Sequence, residues 1–99
     1  MQSIVSNELK CLICEMLPYE AHLYKHNVFY GEGREELSKQ YGCWCYLCGR
    51  HHHMSSAGVH FNPDADRKLK VHTQKRFNEV YPELDFVKIF GKDYLQDRR

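Results

Sequence analysis

The chain has 99 residues, 42% hydrophobic and 27% charged, with 14 Lys+Arg against 13 Asp+Glu and a formal charge of +1. That is one domain's worth of sequence, with a core small enough that a metal cross-link would add materially to stability. The charge balance excludes a polybasic tail and an acidic disordered segment. Apolar runs of only a few residues exclude a transmembrane helix. The opening MQSIVSNELK has neither a basic n-region nor an apolar h-region, so a cytoplasmic protein without a membrane partner is expected.

In chain order, residues 8–18 hold a Cys-x-x-Cys knuckle that Pro18 ends. Residues 19–30, YEAHLYKHNVFY, are rich in aromatic and β-favouring types and predict a strand or hairpin, which Gly31-Glu32-Gly33 breaks. A short helical turn is expected over 34–40 and a second, densely apolar strand over 41–48. His51-His52-His53 then open a short helix or turn. Asn62 reads as a helix cap with Pro63 at the first position, and the helix runs to about Tyr81, before Pro82. Over 83–90, Leu84, Val87 and Phe90 fall at helical spacing alongside Phe86 and Ile89, and Gly91 ends the stretch. Leu69, Phe77, Val80, Phe86 and Ile89 are the expected core positions. There are no repeats and no linker, so residues 1–99 read as one α+β domain: knuckle 8–18, two strands and a short helix over 19–60, and C-terminal helices over 63–95.

Five cysteines is an odd number, and without an export signal a disulfide framework is not expected. Cys11-Leu-Ile-Cys14 and Cys48-Gly-Arg-His51 share the same two-residue gap, which lets both side chains of a knuckle reach one tetrahedral zinc. Cys11, Cys14, Cys48 and His51 therefore make a closed structural site whose binding contributes folding free energy. The competing reading leaves Cys11 and Cys14 as buried thiols and His51 at the surface. Cys43 and Cys45 share a strand face with Leu47, while Trp44, Tyr46 and Cys48 share the other, so Cys43 and Cys45 are assigned to the core.

Three further histidines stand apart. His26 lies on the first strand on the same face as His22 and Tyr24; His52 directly follows the presumed zinc ligand; His60 follows in Gly-Val-His-Phe-Asn. A strand histidine facing helix-start histidines can hold a second metal with open positions, the arrangement hydrolytic chemistry needs. The alternative is that His26 and His52 are hydrogen-bonded histidines without a metal. His53 and His72 read as solvated or packing residues.

The run CLIC…HNVFYG…LSKQYGCWCYLCGRHHH…GVHFN…IFGKDYL resembles the small phage and prophage HNH endonuclease-like proteins over residues 9–95. The resemblance implies a zinc-stabilised ββα-metal core with two additional C-terminal helices, in a phage or prophage protein acting in a bacterial host cell. Position by position, Cys11, Cys14, Cys48 and His51 match the structural zinc knuckles. His26 falls in the catalytic strand motif, His52 matches the helix histidine that binds the catalytic ion, and His60 is a further ligand or phosphate contact. The implied reaction is hydrolysis of a DNA phosphodiester, in recombination, processing or host takeover, with magnesium, manganese, nickel or zinc as the catalytic ion. In many HNH domains the ligand on the first strand is followed directly by the base histidine. Here the pair is His26-Asn27, and Asn27 cannot accept a proton at neutral pH. Either His26 is itself the base, or His22 substitutes, or the domain is catalytically weak.

DNA, single- or double-stranded, is the expected partner. Lys25, Arg34 and Arg50 lie nearest in sequence to the metal residues and are the candidates for gripping the scissile strand. Arg67-Lys68-Leu69-Lys70, Lys75-Arg76 and Arg98-Arg99 read mainly as a solvated surface. A phage or host protein partner, and a monomer or a dimer, are all compatible with the sequence. The competing function is a non-catalytic zinc-stabilised module that binds nucleic acid or inhibits a host protein, suggested by Asn27 and by Tyr19, Tyr24, Tyr30 and Trp44. A weaker third reading makes Cys11 and Cys14 a redox pair.

Overall fold

Alternation of Tyr24 and His26 with Leu23, Lys25 and Asn27 produces strand β1, Leu23–Asn27, in the computed structural model, which describes residues 2–6, 8–55 and 58–96. Strand β2, Trp44–Cys48, pairs with it antiparallel, with His26 opposite Cys45 and Tyr24 opposite Leu47. Directly opposed residues share a face, so Tyr24, His26, Cys45 and Leu47 point to one side and Lys25, Trp44 and Tyr46 to the other. Cys43, Cys45 and Leu47 are fully buried, as the period-two reading expects.

Both strands are shorter than their apolar runs. After Pro18 the chain turns, with the Glu20 and Ala21 N–H groups both donating to the Leu17 carbonyl, so pairing begins only at Leu23. At the second strand, Tyr41 belongs instead to helix α1, Arg34–Tyr41. That helix closes at Gly42, whose left-handed φ of 74° brings its N–H to the Ser38 carbonyl. Ser38 also holds the exit of β1. Its buried hydroxyl donates to the Phe29 carbonyl at 2.7 Å and accepts from the Phe29 N–H at 3.0 Å.

Helix α2, Gly49–His52, follows β2 without a linker. Helix α3, Pro63–Val80, starts as its sequence predicts, with the Ala65 N–H donating to Asn62 Oδ1 at 3.1 Å. Its buried stripe is Leu69, Thr73 and Phe77 with Gln74 beside it. Gln74 is satisfied by Asp93 and by the Tyr94 N–H, which docks the C-terminal segment on the core.

Helix α4 is only Phe86–Phe90, against an amphipathic stretch expected from residue 83. Pro82 is followed by a turn in which the Leu84 N–H donates to the Tyr81 carbonyl, and Asp85 then caps the Val87 and Lys88 N–H groups. Leu84 and Val87 are left 40% and 41% exposed, and the expected core position Val80, on the last turn of α3, is 37% exposed. Ile89 is partly buried against the core, while Leu69, Phe77 and Phe86 are core residues as expected. The core is aromatic. The Phe29 ring lies 5.1 Å from Phe86, 4.7 Å from Phe90 and 5.3 Å from Tyr94, and Phe77 lies 5.3 Å from Phe86. The architecture is thus α+β, a two-stranded antiparallel sheet with helices. Among the described residues, no helix is long and apolar enough to cross a membrane. Arg98 and Arg99 lie outside the described residues.

Phe77 sits inside this cluster and Val80 beside it, which separates their expected contributions. Phe77→Ala should destabilise the zinc-loaded protein by about 3–5 kcal/mol and Val80→Ala by less than about 1 kcal/mol, measured by urea unfolding. Equal losses would contradict the observed burial.

Candidate metal centres

The first knuckle is a tight turn. The Glu15 N–H donates to the Cys11 carbonyl at 2.8 Å, the Cys11 N–H to the Met16 carbonyl at 2.9 Å, and Glu15 takes a left-handed φ of 64°. The Leu12 N–H donates to the Tyr46 carbonyl at 2.9 Å, which fastens the turn to β2. Cys48 is the last residue of β2 and caps α2, so His51 on that helix faces the same space.

The donors then converge. Cys14 Sγ lies 3.6 Å from Cys48 Sγ, and His51 Nδ1 lies 3.4 Å from Cys48 Sγ and 3.8 Å from Cys11 Sγ. All four donor atoms lie within 4.8 Å of one another, and all five cysteines are free thiols. Tetrahedral zinc, with Zn–S of about 2.3 Å and Zn–N of about 2.0–2.1 Å, spaces two sulfurs about 3.8 Å apart and sulfur from nitrogen about 3.6 Å. The residues fit the ion: Cys11, Cys14, Cys48 and His51 could hold a structural metal such as zinc. Four protein donors leave no position for a substrate, so such a site is structural.

Protonation follows the same crowding. Burial opposes the Cys11 thiolate, but the backbone N–H groups of Cys14, Cys48 and Ile13 outweigh it and bring its pKa down. Cys14 is pushed up by desolvation and by the neighbouring Cys11 and Cys48 sulfurs, against the Met16 N–H. Sulfurs this close cannot all ionise without a cation between them. Cys43 and Cys45 are different: burial pushes each up to about 12, which keeps them as thiols in the core.

The second cluster joins β1, α2 and the loop before α3. Helix α2 ends with open carbonyls, and the Val59 and His60 N–H groups donate to those of His51 and His52 at 2.9 and 3.2 Å. Gly58 permits this close return, since a Cβ there would meet the His52 carbonyl oxygen at 2.8 Å. The bonds bring His60 against His52, Nε2 to Nε2 at 3.1 Å. His26 completes the group from the strand, its ring 5.1 Å from His52 and 5.2 Å from His60. The ligand atoms of the three imidazoles lie within 4.8 Å of one another.

His26 is only 2% exposed and its Nε2 has no hydrogen-bond partner. A buried nitrogen left in that state is costly, and a cation shared with His52 and His60 would satisfy it. Burial first, then the charges of His52, His60 and Lys70, brings the His26 pKa down to about 3. Burial, then His60 and His53, brings His52 down to about 4. Both imidazoles are therefore neutral at pH 7 and offer lone pairs without first losing a proton.

The remaining site candidates are dispersed. Asn27 alternates to the opposite face of β1 and does not join the three imidazoles. Lys25 is also on that face, its Nζ 4.1 Å from the Trp44 ring centre. Arg34 donates from Nε to the Phe90 carbonyl at 3.0 Å and lies 3.8 Å from Glu32, so it closes the end of α4. Arg50 is exposed on α2, between Cys48 and His51 in sequence.

Tyr30, Lys70 and His53 are not expected from the sequence beside the three imidazoles: its pattern assigns Tyr30 to a binding surface, Lys70 to a solvated run and His53 to solvent or packing. The Tyr30 ring lies 5.2 Å from His60, and Lys70 Nζ sits 4.3 Å above Tyr30 and 2.9 Å from Asp66. His53 Nδ1 lies 2.9 Å from His52 Nδ1. No protein-family model, curated protein or solved structure matches the chain.

Two outcomes are expected. Purified protein should carry one equivalent of zinc, lost in Cys48→Ser and retained in Cys43→Ala by metal analysis, and chelation should melt α2, since a four-residue helix cannot sustain itself. Protonation competes with a cation for an imidazole lone pair, so depressed pKa values extend binding to lower pH. At pH 5.5, two imidazoles of ordinary pKa would have lost roughly 100-fold in affinity, whereas His26 and His52 should impose almost none of that loss. Cobalt titration of the zinc-loaded protein at pH 7 and 5.5 reads the difference.

Proposed function

We propose that the protein is a metal-dependent, HNH-type DNA endonuclease with a ββα-metal core, β1, β2 and α2 forming its active unit. The observation that carries this reading is the convergence of His26, His52 and His60 on one point, with the His26 Nε2 buried and unpartnered. It stands beside the Cys11, Cys14, Cys48 and His51 cluster, which could hold a structural metal at the start of α2. The order of motifs, CxxC, His-Asn-Val-Phe, Cys-x-x-His-His and Val-His, supports the same class.

His26, His52 and His60 would hold a divalent cation, which would supply charge against a phosphate oxygen and the departing oxyanion. The protein's own groups divide the remaining work. His26 suits a ligand better than a base, because it is enclosed and its pKa of about 3 is far from the operating pH. The proton acceptor is assigned to His22, which is exposed and lies 4.5 Å from the Tyr24 ring, itself stacked on His52. Arg50, exposed on α2, is assigned to a backbone phosphate, which would give a salt-sensitive affinity. A phage or prophage origin, with action in a bacterial cytoplasm, follows from the resemblance alone.

A second reading is a zinc-stabilised module that binds nucleic acid or a host protein without cutting. Asn27 favours it, since the residue after the strand histidine carries no base and faces away from the cluster. Supercoiled-plasmid nicking with magnesium, manganese, nickel or EDTA separates the two. The nuclease reading expects metal-dependent nicking that falls at least about 100-fold in His26→Ala, with zinc content unchanged. Absence of nicking from folded, zinc-loaded protein selects the binding module.

A further inference from the structure

His53 is exposed and has no place among the three converging imidazoles, yet its position is closely specified. Neighbouring residues on a helix do not face each other. His53, however, is the first residue beyond α2, with φ −150° and ψ 0°, and its N–H donates to the Gly49 carbonyl at 3.0 Å. That break returns its ring to His52, Nδ1 to Nδ1 at 2.9 Å. Tyr24 holds both rings, stacked on His52 at 5.4 Å and 20°, and edge-on to His53 at 4.8 Å and 85°.

A neutral imidazole carries one N–H and one lone pair, and His52 has an imidazole nitrogen opposite each of its own. Two proton arrangements satisfy the contact between His52 and His53. In one, His52 carries its proton on Nδ1, donates to His53 Nδ1, and turns the Nε2 lone pair toward His60 and His26. In the other, His53 donates to His52 Nδ1, and the His52 proton sits on Nε2 and occupies the space between the three rings. Only the first offers the His52 Nε2 lone pair to a cation, which the His60 Nε2 lone pair joins when the His60 proton is on Nδ1.

We propose that His53 is a positioning residue: by accepting the Nδ1 proton of His52 it fixes the tautomer and ring plane in which His52 presents Nε2 to a divalent cation shared with His26 and His60. This rests on reading those three histidines as a cation site. Partners that orient a metal-ligating histidine in this way are worth about 10–100-fold in metal affinity. An Asn in place of His53 keeps a short side-chain acceptor, whereas a Leu keeps bulk and removes it.

The test is cobalt(II) titration of zinc-loaded protein, followed by its visible absorption, for wild type, His53→Leu and His53→Asn at matched zinc content. Wild type should bind one cobalt beyond the zinc. His53→Leu should bind it about 10–100-fold more weakly, and His53→Asn should recover most of the loss. In the cobalt-free proteins, long-range 1H–15N spectra should show His52 as the Nδ1–H tautomer in wild type and as a mixture in His53→Leu. If wild type binds no cobalt beyond the zinc, the cation site fails and this role with it. If wild type binds cobalt and His53→Leu binds it equally, or His53→Asn is no better than His53→Leu, the cation site stands and the role of His53 is overturned.

Discussion

The structure depends on the joint between Cys48 and His51. Two paired strands are at best marginal alone, and a four-residue helix does not persist without external support. Here the end of β2 and the whole of α2 meet the Cys11–Cys14 turn in a group whose donors are spaced like the corners of a zinc tetrahedron. The joint is reinforced from outside, by the Leu12–Tyr46 hydrogen bond on one side and by the Val59 and His60 N–H groups on the other. Since His51 and His52 are consecutive, whatever holds His51 also sets the direction of His52.

Two different kinds of burial surround that joint. In the core Phe29, Phe77, Phe86, Phe90 and Tyr94 pack ring against ring, with Ser38 and Gln74 satisfying the backbone and side-chain groups enclosed among them. This is burial that stabilises, because every polar atom named there has a partner. Around His26 the balance is reversed. An imidazole nitrogen is enclosed without a partner, and its proton affinity is driven far below the ordinary value. Packing alone gives no reason for that arrangement, and local conflicts of this kind cluster at functional sites.

Much of the fold is legible in short segments. The Asn62-Pro63 start of α3, the Gly91 end of α4 and the burial of Cys43, Cys45 and Leu47 all follow from local chemistry or from a period of two. Errors arise where periodicity was extended through a competing local bond. Leu84 and Val87 keep helical spacing with Phe90, but the turn after Pro82 and the Asp85 cap start the helix later and leave both exposed. Val80 has the composition of a core residue but lies exposed on the last turn of α3. Lys25 and Arg34 do not join the three imidazoles: strand alternation turns Lys25 to the Trp44 face, and Arg34 is engaged by the Phe90 carbonyl.

The sequence by itself determined the α+β composition, the two ligand pairs of the knuckle and the identity of the three outlying histidines, because ligand spacing of i and i+3 and strand alternation are local properties of the chain. Only the tertiary structure decided that the two knuckles meet, that His26 loses its solvent, and that His60 and His53 approach opposite nitrogens of His52. Those outcomes depend on the register that sets His26 opposite Cys45, on backbone N–H groups that answer the open carbonyls of α2, and on the backbone break at His53. None of these is written in residue type or spacing, since each arises from groups that every residue carries and that only folding brings together.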